Sequence, residues 1–597
     1  MMSHMNSSVA KRAAEPATSQ SPSGEVVAPR SGRMQLGLGI AFVTLVYLAL
    51  IFFTKPIGWG DTIVYALQIS AHAQGAGNPQ DFWDFAHLFW RPLNYLFWHA
   101  GQSHWSQQFP QSPVVQIFAA MRMLNLLVDY LAVLAGFAVA WKVSRSVVAG
   151  ALVTAAFLCW NPFVNFFQTG SAYVPGLGLL LAATYLLLQD PRPYSRARAW
   201  VIGLLLALSV CLWLPFLFSI PGILLLGYLW RDTSDEQKAQ RVRWIAQAVL
   251  ACALVGFAFY AVGTALAGVR SASDFKAWVT EAGHGIQPQK KYLRVVTGMP
   301  RGLMDLDKTG IELKRLVLKD PYNPVRPRDV LHTSLWKLGV FYAGMAWLVS
   351  VLFRQRDGWI ALLPFLLSAG LLLFLGVVLF EPSAPERWMP GFPVLLAAVA
   401  FAFRGPRRLS ARTIPLAAFL AVIAVNNLVA YATPGEPGAD DPTVARVLAL
   451  KPVVRPNSIV TLISLNDGIT GFFLRFPFHP TNPMNSAEPM QFYFLTEAGN
   501  ASSARWRQNF ATHGLKAWQD GGDIWLSKRA LAPRPLLDWD WVEGDDPYLS
   551  WPQISKFFAP FTLNGDVGGA DGFVRIARVP ENQQRLEAAA APMPSAK

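Results

Sequence analysis

Cysteine is nearly absent. The three present, Cys159, Cys211 and Cys252, all fall inside apolar runs. There is no disulfide framework, and the two-cysteine zinc spacings do not occur. Charge is scarce too, with Asp, Glu, Lys and Arg at 15% of the 597 residues. No internal repeat at solenoid periods and no glycine-rich phosphate loop is found.

What the chain has in abundance is apolar sequence. Hydrophobic residues make up 53%, and runs of apolar residues recur from residue 34 to 432. Length alone would suggest several domains, but this composition marks a polytopic α-helical membrane protein. The net charge of +14 is read as topology rather than nucleic-acid binding, because many basic residues lie in short gaps between the runs.

Apolar length, oriented by Lys and Arg, predicts about 11 transmembrane helices: 34–54, 114–141, 147–167, 172–189, a pair within 200–230, 244–268, 333–353, 359–380, 389–403 and 412–432. The gaps holding Lys142 and Arg145, PRPYSRAR, RDTSDEQKAQRVR, Arg354 and Arg356, and RGPRR then share one side with the N-terminal tail, as the positive-inside rule requires. Trp200–Trp230 lies between two such gaps and must cross twice. Broken near Trp213-Leu214-Pro215, each half rises about 22 Å, short of the roughly 30 Å core. Such a short pair needs capping by protein or a water-filled cavity. Reading it as one span would reverse every later loop.

Residues 1–33, polar and rich in Ser, Ala and Pro, are expected as a disordered cytoplasmic tail. A cleaved signal peptide competes with that reading, but Met34–Thr54 is long enough to span and no small-residue cleavage pattern follows it. Residues 34–432 form the transmembrane domain, with outer loops 55–113 and 270–332. Residues 433–585 read as a small extracytoplasmic α/β or α+β domain, and 586–597 as a disordered tail. In that domain Ser458–Ser464 and Phe573–Val579 read as strands and Ala501–His513 as a helix. Leu515–Trp518 and Ile524–Ser527 flank Asp520-Gly521-Gly522-Asp523 as an expected hairpin.

Candidate chemistry concentrates in Gly58–Trp98, an aromatic stretch that carries Asp61, Asp81, Asp84, His72, His87, Arg91 and Asn94. Asp61 is either a solvated loop acid or a general base for an acceptor hydroxyl. Asp84, His87 and Arg91 stand at helical spacing and would form one polar strip, although Pro92 disturbs the register. The strip is either a phosphate or sugar site, since arginine holds phosphate bidentately, or a structural contact that pins the loop. Asp81 and Asp84 leave a divalent cation open, whereas His72 and Asp81 otherwise receive no role. Inside the second span lie Arg122, Asn125 and Asp129, where a charge costs about 2.5–3.5 kcal/mol. Arg122 either snorkels to the outer interface or lines an active cavity, and Asp129 would pair within the bundle. The basic clusters Lys290–Arg294, Lys314-Arg315 and Arg326-Pro327-Arg328 are a solvated face or contacts to lipid phosphates. Glu281, His284 and His332 are too scattered for a metal site.

The layout resembles the integral-membrane glycosyltransferases of the GT-C fold. The resemblance rests on one helix followed by a large outer loop opening with Asp61, the Leu-rich pair broken before Pro215, and the late segment Glu386-Arg387-Trp388-Met389-Pro390-Gly391-Phe392-Pro393. It implies transfer of a sugar from a polyprenyl-phosphate-linked donor to a glycan, lipid or protein acceptor on the outer face. It also implies Asp61 as base and Arg387 as a ligand of the donor phosphate. Arg91, His87 and Arg122 are further candidates for that phosphate, with Asp84 and Glu386 supporting. Many such enzymes have two adjacent acids where Asp61 stands alone, which argues against a paired-acid metal site there. The absence of sorting signals and the compact loops suit a bacterial inner membrane. Two other readings stay open. A transporter or flippase of lipid-linked sugars would carry mid-membrane polar groups and repeated halves. A non-enzymatic scaffold would use the outer domain as a binding module.

Overall fold

The computed structural model describes residues 30–591, except 56–61, 111, 190–193, 231–234, 283–291, 307–310, 320–323, 379–383, 405–409, 434, 436, 464–467, 477–478, 484–489, 496–505 and 534–550. Asp61, Lys290, Lys291, His284 and, of the expected tails, residues 1–29 and 592–597 lie outside the described residues, whereas Arg30–Arg33, expected in the first tail, open the helix Arg30–Phe53.

Among these residues, five helices are long and apolar enough to cross a membrane: Gly32–Phe53, Pro113–Ser144, Lys238–Leu266, Leu331–Arg354 and Ile414–Tyr431. The shorter apolar helices Val147–Leu158, Tyr173–Leu188, Leu214–Leu229 and Trp359–Leu375 accompany them. The expected run 147–167 is broken. Its first helix ends at Leu158 and a second, Asn161–Phe166, begins with Pro162 in its first turn. Proline lacks the N–H that would continue the upstream ladder and crowds the carbonyl four residues back. The pair at 200–230 is also broken, where it was expected. Arg196–Leu212 stops at an extended Trp213, a 3-10 segment Leu214–Ser219 follows, and Ile220–Leu229 resumes the helix.

The ends of these helices meet on one face. Thr54, at the end of the first helix, bridges Ala432 at the end of the last, and the Lys55 N–H donates to the Tyr431 carbonyl at 2.9 Å. Asn427 is buried and donates to the carbonyls of Cys159 (2.7 Å) and Leu303 (2.6 Å), while its Oδ1 accepts from the Asp305 N–H at 2.8 Å. The Ser219 hydroxyl donates to the Pro390 carbonyl at 2.7 Å. Thus the ends at 54, 159–171, 213–219, 301–305, 385–391 and 427–433 share a single surface. The basic turns cluster at the opposite ends. Arg404 lies within electrostatic reach of Arg145 and Asp357, and Gln355 donates to its carbonyl at 2.9 Å.

The stretch 270–332 is largely helical in its described residues. It holds helices Ala272–Ala282, Tyr292–Arg301 and Ile311–Leu318. It covers the first loop, since the Trp278 indole donates to the Trp83 carbonyl at 2.9 Å and its ring lies 5.2 Å from Phe85.

Residues beyond 441 build a five-stranded sheet. Its strands are β1 (Ile459–Leu462), β2 (Gln491–Phe494), β3 (Ile524–Ser527), β4 (Leu563–Val567) and β5 (Phe573–Ile576), in the order β2-β1-β3-β5-β4. β1 pairs parallel with β2 and β3, whereas β5 pairs antiparallel with β3 and β4. Central strands β1 and β3 are buried at every position, as in sheets covered on both faces. Ile459, Ile524 and Leu526 pack with Trp506, Phe510 and Leu586, while Val460, Leu462 and Trp525 pack with Val447, Leu450 and Phe473. Alternate side chains therefore serve two helical layers, which makes the domain α/β. Two local expectations fail. Leu515–Trp518 belongs to the helix Trp506–Gln519, whose buried residues Trp506, Phe510, Ala511, Gly514 and Ala517 follow the helical period. Leu586–Ala590, expected in the disordered tail, lies in the helix Pro580–Ala590, anchored by buried Leu586.

Candidate functional site

The first loop folds into helix Thr62–Ala73, a 3-10 turn Phe85–His87 and helix Trp90–Ala100. Asp84, His87 and Arg91 do meet, but not on one helix. Asp84 caps the 3-10 turn, its Oδ1 accepting from the Ala86 N–H at 3.0 Å. A new helix begins at Trp90, so Pro92 sits in a first turn, where a missing N–H costs little. The turn between them brings the three side chains together.

Asp84 is the hub. Its Oδ2 accepts from Arg91 Nη1 at 2.8 Å and from His87 Nδ1 at 3.0 Å. Arg91 also donates through Nε to Gln68 at 2.6 Å, and its guanidinium lies 4.3 Å over the Tyr65 ring. His87 Nε2 is 3.2 Å from the Tyr65 hydroxyl. Asp84, His87 and Arg91 are 9%, 4% and 5% exposed. Burial alone would raise the Asp84 carboxyl. The Arg91 charge and the His87 hydrogen bond outweigh it and hold the carboxyl well below the usual range. An ionised Asp84 sets the imidazole tautomer, with the proton on Nδ1.

This network is joined to Arg387 through two aromatic rings. His87 lies 6.2 Å from Tyr173, Tyr173 lies 4.8 Å from Trp213, and the Arg387 guanidinium stands 5.8 Å over Trp213. Trp213 is the extended residue at the break of the short helical pair. Arg387 occupies the 3-10 segment Pro385–Gly391, with Glu386 at 3.9 Å. The next residue, Trp388, lines an apolar pocket together with Met299, Phe341, Phe365, Leu372 and Phe392.

Arg122 takes a different place. Its Nε donates to the Gln168 carbonyl at 2.9 Å, and Gln168 in turn donates to the Thr54 carbonyl at 3.1 Å. Asn125 holds the same turn, donating to the Ser171 carbonyl at 3.1 Å and accepting from the Gly170 N–H at 2.9 Å. The Trp90 indole donates to the Gly170 carbonyl at 2.8 Å. Gly170 has φ +84°, and a Cβ there would stand 3.0 Å from Met121 and 3.3 Å from Thr62, so glycine is required. Thr62, the residue after Asp61, therefore borders this wall. Asp129, expected to pair within the bundle, is fully buried, and among the described residues neither carboxyl oxygen has a hydrogen-bond partner. His72 stacks on Phe82 at 3.7 Å. Among the described residues no three His, Cys, Asp or Glu side chains group as metal ligands.

Sequence reasoning missed Tyr65, Gln68, Tyr173 and Asn427. Tyr65 and Gln68, three apart in an apolar helix, carried a detectable signal, as did Asn427 within the last span. Tyr173 carried none.

No known protein-family model and no curated protein sequence matches the chain. Solved structures do. The chain is similar to ArnT from Cupriavidus metallidurans bound to undecaprenyl phosphate, at 12% identity and a TM-score of 0.48, over 94% of this chain and 100% of that one. It is also similar to the Archaeoglobus fulgidus oligosaccharyltransferase in the apo form, at 11% identity and a TM-score of 0.46, over 92% of this chain and 75% of that one. The Archaeoglobus fulgidus oligosaccharyltransferase AglB, solved with an inhibitory peptide and a dolichol-phosphate, matches at 11% identity and a TM-score of 0.42, over 93% and 76%. These three solved structures are glycosyltransferases of the GT-C fold.

Proposed function

We propose that this protein transfers a sugar from a polyprenyl-phosphate-linked donor to an acceptor at the face where its first and last long helices end. The observation that carries the reading is the position of Arg387. A guanidinium, suited to phosphate oxygens, stands over Trp213, and the adjoining Trp388 walls an apolar pocket. A phosphate on an isoprenoid tail needs that pairing of cation and apolar space. In the reaction, Asp61 takes the proton of an acceptor hydroxyl as its oxygen attacks the anomeric carbon. The bond from that carbon to the phosphate oxygen breaks, and the polyprenyl phosphate leaves with the electron pair. Asp84, His87 and Arg91 act as positioning residues in this scheme, because Asp84 already neutralises Arg91.

The clustering of basic turns on the opposite face supports an outward-facing site through the positive-inside rule, and with it a bacterial inner-membrane location with the sheet domain outside. The test is Arg387→Ala in a transfer assay with defined donor. The donor KM should rise by roughly tenfold or more, with the acceptor KM unchanged. An unchanged donor KM removes Arg387 from the site.

A further inference from the structure

The sheet domain holds a second basic constellation that transfer chemistry does not use. Asp523, at the start of β3, is 3% exposed. Three arginines from separate places surround it. Arg455, before β1, has Nε 3.6 Å from Oδ2. Arg575, in β5, has Nη1 3.7 Å from the same oxygen. Arg578, after β5, has Nε 3.9 Å from Oδ1.

One buried carboxylate needs one guanidinium for balance, so the cluster carries a surplus of two positive charges. Three like charges gathered this way repel one another unless an anion joins them. The guanidiniums are not exhausted by their present contacts. Arg575 otherwise donates to Asn564 at 3.0 Å, and Arg578 to the Gly522 carbonyl. Among the described residues the Arg455 guanidinium contacts Asp523 alone, and its side chain is 63% exposed. Among the described residues, the other acids nearby on the sheet edge are engaged, Asp566 with Lys528 and Asp571 with Arg529, and Asp520 in the adjoining turn is solvent-exposed.

The platform beneath is fixed before any ligand arrives. The Asp523 N–H donates to the Ser458 hydroxyl at 2.8 Å, and its carbonyl accepts from the Ile459 N–H at 2.9 Å. A Cβ on Gly522 would stand 2.2 Å from the Asn457 backbone, so only glycine allows the two turns to touch. Such preorganised donors bind with little ordering cost.

We infer that Arg455, Arg575 and Arg578 form a binding site for a phosphate group. A phosphomonoester carries about −1.5 to −2 charges and three strong acceptor oxygens, which matches the surplus and the number of guanidiniums. The phosphate belongs either to a soluble acceptor or to an anionic lipid headgroup.

The test uses the full chain in neutral detergent, titrated with inorganic phosphate by calorimetry. Binding should survive Arg387→Ala, which separates this site from the proposed donor site. It should weaken roughly tenfold or more in the double variant Arg455→Gln/Arg578→Gln, with the thermal unfolding midpoint unchanged. Arg455→Gln alone serves if the double variant is unstable, since Arg455 is mostly exposed and makes one contact. Absence of phosphate binding in the parent, or equal affinity in parent and variants, overturns the site. Nanodiscs distinguish the two sources. If a headgroup is the ligand, discs holding phosphatidic acid, whose headgroup is a phosphomonoester, lower the apparent affinity for inorganic phosphate relative to phosphatidylcholine discs. If the ligand is soluble, both lipids give the same value.

Discussion

Replacing Asp84 by Asn removes one charge and almost no volume. The residue accepts hydrogen bonds from the Ala86 N–H, His87 Nδ1 and Arg91 Nη1. Asparagine can still cap the 3-10 turn, so the loss falls on Arg91. That guanidinium is 5% exposed and would keep Gln68, the Tyr65 ring and the more distant charge of Asp81. Breaking one partner of a buried ion pair costs about 3–5 kcal/mol, because an uncompensated charge remains, while removing both partners costs much less. Asp84→Asn should therefore lower stability by about 3–5 kcal/mol. The double variant Asp84→Asn/Arg91→Met should be less damaged than Asp84→Asn alone, with a coupling of about 2 kcal/mol or more. Reversible unfolding in mixed detergent micelles, followed by tryptophan fluorescence, measures both. The pH dependence has a defined sign. The folded carboxyl lies below its unfolded value, so its stabilisation is complete above about pH 4 and fades as pH falls through the folded value. The gap between parent and Asp84→Asn should be flat from about pH 8 to 5 and shrink only below about pH 4. A single-variant loss under about 1 kcal/mol, or simple additivity of the two substitutions, would refute the hub assignment.

Asp129→Asn should leave stability unchanged or raise it, because the buried carboxyl has no hydrogen-bond partner among the described residues and charge in mid-span is costly; a loss above about 1 kcal/mol in the same unfolding assay would reveal a partner. Asp61→Asn should lower transfer by about 10²–10⁴-fold while expression stays intact, and near-normal turnover would end its assignment as base. A protease-sensitive tag after residue 597 should be cleaved from outside the inner membrane in spheroplasts, whereas protection there would reverse the proposed orientation.

The polar spacing of Asp84, His87 and Arg91 pointed to the right grouping for an incomplete reason. The i, i+3, i+4 pattern anticipated contact, yet contact arises because the chain turns between His87 and Trp90. Pro92 was the local clue to that break. Trp213-Leu214-Pro215 was legible as a helix interruption, since the length of the apolar run and the charges on both sides required it. That Trp213 would bridge Tyr173 and Arg387 was not legible, because those residues come from separate helices. Leu515–Trp518 misled through the glycine pair that follows: a turn signal marks where a chain bends without saying whether a helix or a strand enters the bend. Asp129 misled differently, since spacing can place a charge in a span but cannot supply its partner.

Sequence alone was enough for the membrane-helical class, the break in the short pair and the existence of the strands found at Ile459–Leu462 and Phe573–Ile576. These follow from apolar run length, the positions of Lys and Arg, and β-branched content, all of which are local quantities. Tertiary structure alone decided that the ends of the first and last long helices pair through Thr54 and Ala432. It alone linked Arg91 to Arg387 through Tyr65, His87, Tyr173 and Trp213, and gathered three arginines on Asp523. Those contacts join residues tens to hundreds of positions apart. They depend on how buried helices and strands pack against one another, and sequence periodicity describes only one element at a time.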